Sequence, residues 1–175
     1  PGSSDLPLFL YNLGSGLGAR YACRRRSEDL TEALRACQEA VRLCPAGSPN
    51  RPLYLDCLGG LLDVRFSEAG HLEDLEAGLR VYRELVESAS SDSPNLRLHF
   101  DQLGRFLRDR YRRLGHQEDL DEAVWSFRRA MQNAPIGSPL RAPVLTHLGI
   151  MLRVRYETTG QHEDIDEAVQ ICREA

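Results

Sequence analysis

Between Leu55 and Phe66, the residues Leu55, Leu58, Gly59, Leu62 and Phe66 follow one another at intervals of three, one, three and four. That spacing lays them along one stripe of an α-helix, with polar residues over the rest of its surface. The same stripe occurs at Leu10, Leu13, Gly14, Leu17 and Tyr21, at Phe100, Leu103, Gly104, Leu107 and Tyr111, and at Leu145, Leu148, Gly149, Leu152 and Tyr156. Successive copies are offset by 45 residues with no insertion or deletion. This element, helix A, is predicted to run for about 18 to 20 residues, or roughly 27 to 30 Å.

A second apolar pattern follows each stripe. Gly70, Gly115 and Gly160 are placed to close helix A as left-handed C-terminal caps. Arg25 stands at that place in the first repeat, so a different or frayed cap is expected there. Helix B is predicted to start at the aspartate of a recurring Glu-Asp pair. Asp29 with Glu32, Asp119 with Glu122 and Asp164 with Glu167 fit an acidic capping box, and Asp74 with Ala77 keeps half of it. Helix B then carries Leu30, Ala33, Leu34, Cys37, Ala40 and Val41, matched by Leu120, Ala123, Val124, Phe127, Ala130 and Met131. Pro45 and Pro135 stop it, and Ser48-Pro49, Ser93-Pro94 and Ser138-Pro139 are expected to begin the next helix A. Nothing in the pattern suggests strands.

A fixed period of this length marks a stacked repeat array. The expected fold is all-α, a right-handed α-solenoid of antiparallel helix pairs forming one array over residues 1–175. Its repeats span about 4–48, 49–93, 94–138 and 139–175. The last is truncated in helix B, where Ile171, Cys172 and Ala175 lie on the packing stripe, so the array is expected to continue past residue 175 or to be covered there by a partner. A solenoid offers an extended surface, which points to binding before catalysis.

Composition narrows the classes. No apolar run approaches the roughly 20 residues that a membrane helix requires. Pro1-Gly2-Ser3-Ser4 shows neither the basic nor the apolar region of a secretory signal. The five cysteines form no C-x-x-C pair and read as reduced core filler in a cytoplasmic protein. All 22 basic residues are arginine, a GC-rich coding bias that suggests a bacterial source. The net charge of −4 argues against a nucleic-acid partner, whose binders carry a basic footprint.

The repeat resembles the tetratricopeptide repeat. Leu-Gly on helix A is followed on helix B by Ala123, Phe127, Ala130 and Pro135, and in the first repeat by Ala33, Cys37, Ala40 and Pro45. The usual period of that family is 34 residues, so this is a long variant. The motif R-Y/F-x-x-x-G-x-x-E-D-L-D-E-A looks like arrays found beside caspase-like (CHAT) proteases or signal-transduction (STAND) NTPases. Repeat 2 departs from the pattern at Gly78 and Leu85 and in the serine-rich segment 88–93. Helix B of that repeat and its following loop are therefore the expected softest joint.

The resemblance implies that helix A lines a concave, partner-binding groove. Carried over position by position, the groove residues are Tyr11, Asp56, Asp101 and Thr146, then Ser15, Gly60, Arg105 and Ile150 in the next row, then Gly18, Asp63, Arg108 and Arg153. Asn12, Gln102 and His147 adjoin that face. These positions vary while the core columns stay fixed, as a groove shaped for one partner would, although ordinary surface drift gives the same pattern. Trp125 is expected to point outward as a possible anchor, or to fold over a neighbouring helix.

The series Arg20, Arg65, Arg110 and Arg155 could form a ladder for an extended anion. Its lockstep with Asp29, Asp74, Asp119 and Asp164 favours a structural pairing instead. The arginines of repeat 3 (Arg105, Arg108, Arg110, Arg112, Arg113, Arg128, Arg129) could dock an acidic partner, but a solvated face paired with nearby acids is favoured. The histidines show no metal-ligand spacing, and no nucleotide loop, serine elbow or zinc-protease motif is present. No cofactor, metal or catalytic residue is expected. The functional expectation is a non-catalytic module binding a peptide or protein. The alternative is a regulatory segment that packs on an effector domain of the same polypeptide.

Overall fold

The computed structural model describes residues 5–174. Pro1–Ser4, read above for a signal sequence, and Ala175, read as part of the final packing stripe, lie outside the described residues. Among those described there are eight α-helices and no strand. They are α1 (Leu6–Arg24), α2 (Ser27–Leu43), α3 (Arg51–Ala69), α4 (Leu72–Ser88), α5 (Leu96–Leu114), α6 (Gln117–Gln132), α7 (Arg141–Thr159) and α8 (His162–Glu174). Odd-numbered helices are helix A of successive repeats and even-numbered ones helix B. Each helix A is 19 residues long, within the length its stripe predicts.

The chain divides into two compact units, residues 1–85 and 86–175, each containing two A–B pairs. The division falls near the end of α4, in the helix expected to form the softest joint. Within a pair the helices run antiparallel. Arg20 near the end of α1 meets Asp29 at the start of α2, while Gly14 further back faces Ala33 and Cys37. Leu17, Leu34, Leu55, Leu62, Leu75 and Leu79 fill the core of the first unit. Phe106, Leu107, Leu120, Phe127, Leu145 and Leu152 fill that of the second. Each such side chain contributes about 1.5–3 kcal/mol through burial. Leu13 is the exception among the leucines of the Leu-Gly column, being exposed where Leu58, Leu103 and Leu148 are buried.

Three local expectations are corrected. Helix B starts two residues before the aspartate, at Ser27, Leu72, Gln117 and His162, so each Asp is the third helical residue and not the N-cap. Its carboxylate is already engaged by arginine, and α2 and α6 have no side-chain cap hydrogen bond. Helix A begins three residues after the serine of each Ser-Pro step. Ser48 N–H bonds to Pro45 O and Arg51 N–H to Ser48 O, two consecutive turns that precede the helix. The proline-free segment forms the same turns, Ser93 N–H to Ser90 O and Leu96 N–H to Ser93 O, because backbone bonds define them. Finally, Arg25 forms the same left-handed cap as the glycines, with φ 55° and its N–H on Tyr21 O at 2.8 Å. An ion pair to Glu68 and stacking over Tyr21 hold it there.

The Leu-Gly column has a steric cause. A Cβ on Gly104 would lie 2.7 Å from the Phe127 ring, and one on Gly59 equally close to the Tyr82 ring. Helices A and B therefore approach through a notch that an aromatic residue fills. At Gly149 the nearest atom would be 3.9 Å away, ordinary contact. Gly104→Ala is thus expected to destabilise by about 1–3 kcal/mol through overpacking. Gly149→Ala should be neutral or gain up to about 1 kcal/mol from helix propensity. Urea unfolding of the two variants checks this; equal effects would show that the notch is not what holds the glycine.

Candidate functional site

The constant polar columns form a lock between each helix A and its helix B. Arg20 donates through Nε at 2.9 Å and Nη2 at 2.6 Å to the two oxygens of Asp29. Arg155 grips Asp164 in the same way at 2.8 and 2.5 Å, and the Arg65–Asp74 and Arg110–Asp119 pairs repeat it. All four aspartates are buried. A planar fork on a buried carboxylate is the strong form of this interaction. The hydrogen bond from Arg20 holds the Asp29 carboxyl below its ordinary range, although burial pushes the other way. Asp164 correspondingly raises Arg155. The guanidinium ladder is therefore occupied by the protein's own acids.

The groove positions do not form one equivalent set. In the first unit, Tyr11 on α1 is half-buried, with its ring 5.3 Å from that of Tyr54, and Asp56 and Asp63 lie half-exposed on α3. In the second unit, Asp101 on α5 is buried and bonded to His147 Nδ1 on α7 at 3.0 Å. It acts as a clamp between two helices A, not as an open acid. Arg105 donates to Gln102 at 3.0 Å and Arg108 to Asp109 at 2.9 Å. Thr146 is exposed and bonds back to Ala142 O, and Arg153 is exposed and paired with Glu157.

The outward face of helix A runs along a neighbouring column. On α3 its exposed positions are Leu53, Gly60 and Ser67, with half-buried Cys57 and Val64 between them at helical spacings of four and three. On α7 the exposed positions are Pro143, Ile150 and Glu157, with half-buried His147 and Val154 between them. Leu8, Leu53 and Leu98 occupy one position of this face in three repeats, and all are exposed. Ile150 is exposed as well. The carry-over from family positions includes Gly60 and Ile150 but missed Leu8, Leu53 and Leu98, whose 45-residue recurrence was available as a signal.

Sequence spacing also missed a thiol pair. Cys37 on α2 and Cys57 on α3 stand with their sulfurs 3.0 Å apart. The hydrogen bond between them lowers the Cys57 thiol's pKa and, together with burial, raises that of Cys37. The equivalent position in the second unit pairs Phe127 with His147, ring centres 5.3 Å apart.

Trp125 points outward and also packs on a neighbouring helix. It is half-exposed, and it meets the Phe100 ring edge-on at 5.4 Å. Part of the basic cluster of repeat 3 is compensated by acids: Arg110 is held by Asp119, Arg108 by Asp109 and Arg128 by Glu167. Among the described residues no group of three or more His, Cys, Asp or Glu could hold a metal ion. None of their helices is long and apolar enough to cross a membrane.

No protein-family model matches the chain. No curated protein matches it either. Among solved structures it is similar to the DHF58 filament, at 18% identity over 96% of this chain and 90% of that one, with a TM-score of 0.50. It is also similar to the de novo designed helical repeat protein DHR64, at 20% identity over 96% and 90%, with a TM-score of 0.48. The fold is therefore all-α, of the α-solenoid class built from repeated helix pairs.

Proposed function

We propose that this chain is a non-catalytic, tetratricopeptide-like interaction module that takes a peptide or protein segment on its helix A surfaces. The observation that carries the proposal is the division of labour among its columns. Leu-Gly, Arg and Asp recur in every repeat and, exposed Leu13 apart, are consumed by the fold. The outward helix A positions are left uncovered by the fold and keep exposed apolar side chains at Leu8, Leu53 and Leu98, one recurring column, and at Ile150. Apolar residues held at the surface of a rigid helix suit a partner with apolar side chains of its own. Half-exposed Asp56 and Asp63 beside them favour a segment that also carries basic residues. The five thiols fit a reducing, cytoplasmic setting.

Selection of displayed peptides on the 175-residue chain tests this. Peptides should be recovered whose affinity falls about tenfold or more with Leu53→Asp or Ile150→Asp, while the melting temperature of each variant stays within a few degrees of the parent. Recovery of no peptide, or of peptides indifferent to both substitutions, would overturn the reading.

A further inference from the structure

Cys37 stands in the column that holds Phe127 in repeat 3, and like it is fully buried. Its sulfur lies against the backbone of Gly14, where a Cβ would be only 2.4 Å away, so α1 confines it on one side. On another side it meets the sulfur of Cys57 on α3 at 3.0 Å. Packing accounts for Cys37 but not for Cys57. The Cys57 position lies off the apolar stripe, and its counterparts in the other repeats are the polar residues Asn12, Gln102 and His147. Cys57 is half-buried on the outward side of α3, where a small solute can reach it. Two thiols from consecutive repeats thus meet at one point, one enclosed and one open to solvent. The other cysteines differ: Cys23 and Cys172 are exposed, and buried Cys44 directs its sulfur to Pro45 O at 3.7 Å.

We propose that Cys37 and Cys57 are a reversible redox site, which hydrogen peroxide closes into a disulfide that fastens helix B of the first repeat to helix A of the second. A disulfide holds its sulfurs about 2.05 Å apart, so each sulfur has to travel only roughly half an ångström. Cys57 is the thiol that an oxidant meets first. Its hydrogen bond with Cys37 favours the thiolate, against burial and the charge of Asp56, and the thiolate is the nucleophile. It attacks one oxygen of the peroxide, so that an S–O bond forms and the O–O bond breaks. The departing hydroxide takes up the proton that Cys57 released and becomes water. The Cys37 sulfur then attacks the sulfur of the Cys57 sulfenic acid; the S–S bond forms, the S–O bond breaks, and hydroxide leaves with the Cys37 proton as a second water. Two thiols have given two electrons to one peroxide. A dithiol reductant reopens the bridge by exchange and itself becomes a disulfide. In a reducing compartment such a bond is transient and reports the redox conditions. Phe127 and His147 occupy the same two positions in the second unit, where no such chemistry exists.

The test is hydrogen peroxide added to the chain carrying Cys23→Ser and Cys172→Ser, which removes the two exposed thiols. Peptide mapping should recover Cys37 joined to Cys57, with Cys44 still alkylatable once the chain is unfolded, and dithiothreitol should release the bridge. Adding Cys37→Ser should leave Cys57 as the sulfenic acid, which dimedone traps. Adding Cys57→Ser instead, at the half-buried position, should leave Cys37 a free thiol under the same treatment. Melting curves before oxidation establish that these variants fold. The bridged chain should melt about 5 °C or more above the reduced one, because the cross-link closes a loop in the unfolded chain between residues 20 positions apart. Reduction should reverse the rise. None of these readouts involves a bound peptide, so the result stands apart from peptide binding. Two thiols that remain separately alkylatable, a Cys57 that passes to the sulfinic acid without bridging, or a bridged chain that melts no higher than the reduced one would each refute the proposal.

Discussion

Phe127→Ala lowers the free energy of unfolding by about 3–5 kcal/mol, the range for emptying a fully enclosed aromatic site. Phe127 has no exposed surface. Its ring fills the notch over Gly104 and packs against His147 on the next helix A. The cavity borders three helices whose backbones the Arg–Asp lock and the Asp101–His147 clamp hold apart, so it cannot readily collapse. Urea unfolding measures the loss through the midpoint, with the slope unchanged if the transition stays two-state. A loss below about 1.5 kcal/mol, typical of a volume-conserving swap, would mean that the notch closes when the ring is removed.

Arg110→Ala costs about 3 kcal/mol, because it strands a buried carboxylate. The Asp119 side chain is 3% exposed, and Arg110 grips it with two hydrogen bonds. Asp119→Asn added to Arg110→Ala should recover part of the loss, since the stranded group then carries no charge. Arg20→Ala should cost less, because the Arg20 side chain is about half open to water, where an ion pair is screened. Equal losses at Arg20 and Arg110 would contradict the burial argument.

These two sites also show what the sequence makes legible. The 45-residue beat revealed the helix pairs and the Arg–Asp pairing, because an interaction repeated in every unit leaves a mark at a fixed interval. Helix starts were misplaced by two or three residues. The aspartate looked like a cap, and only the geometry reveals that an arginine nine residues earlier claims it. Asp101 looked like a groove acid because its column is variable. His147, 46 positions away, is what buries it. The Cys37–Cys57 pair left no motif because its members belong to different repeats. Features made once, by two side chains from neighbouring repeats, have no periodicity to betray them.

The claim that the constant columns build the fold while the outward helix A face does the binding is tested most directly by hydroxyl-radical footprinting of the chain with a selected peptide bound. Protection is predicted at Leu53 and Val64 for a peptide that Leu53→Asp weakens, and at Ile150 and Val154 for one that Ile150→Asp weakens, with Trp125 on helix B labelled as in the free protein. Protection centred on Trp125, with the helix A residues unchanged, would contradict it.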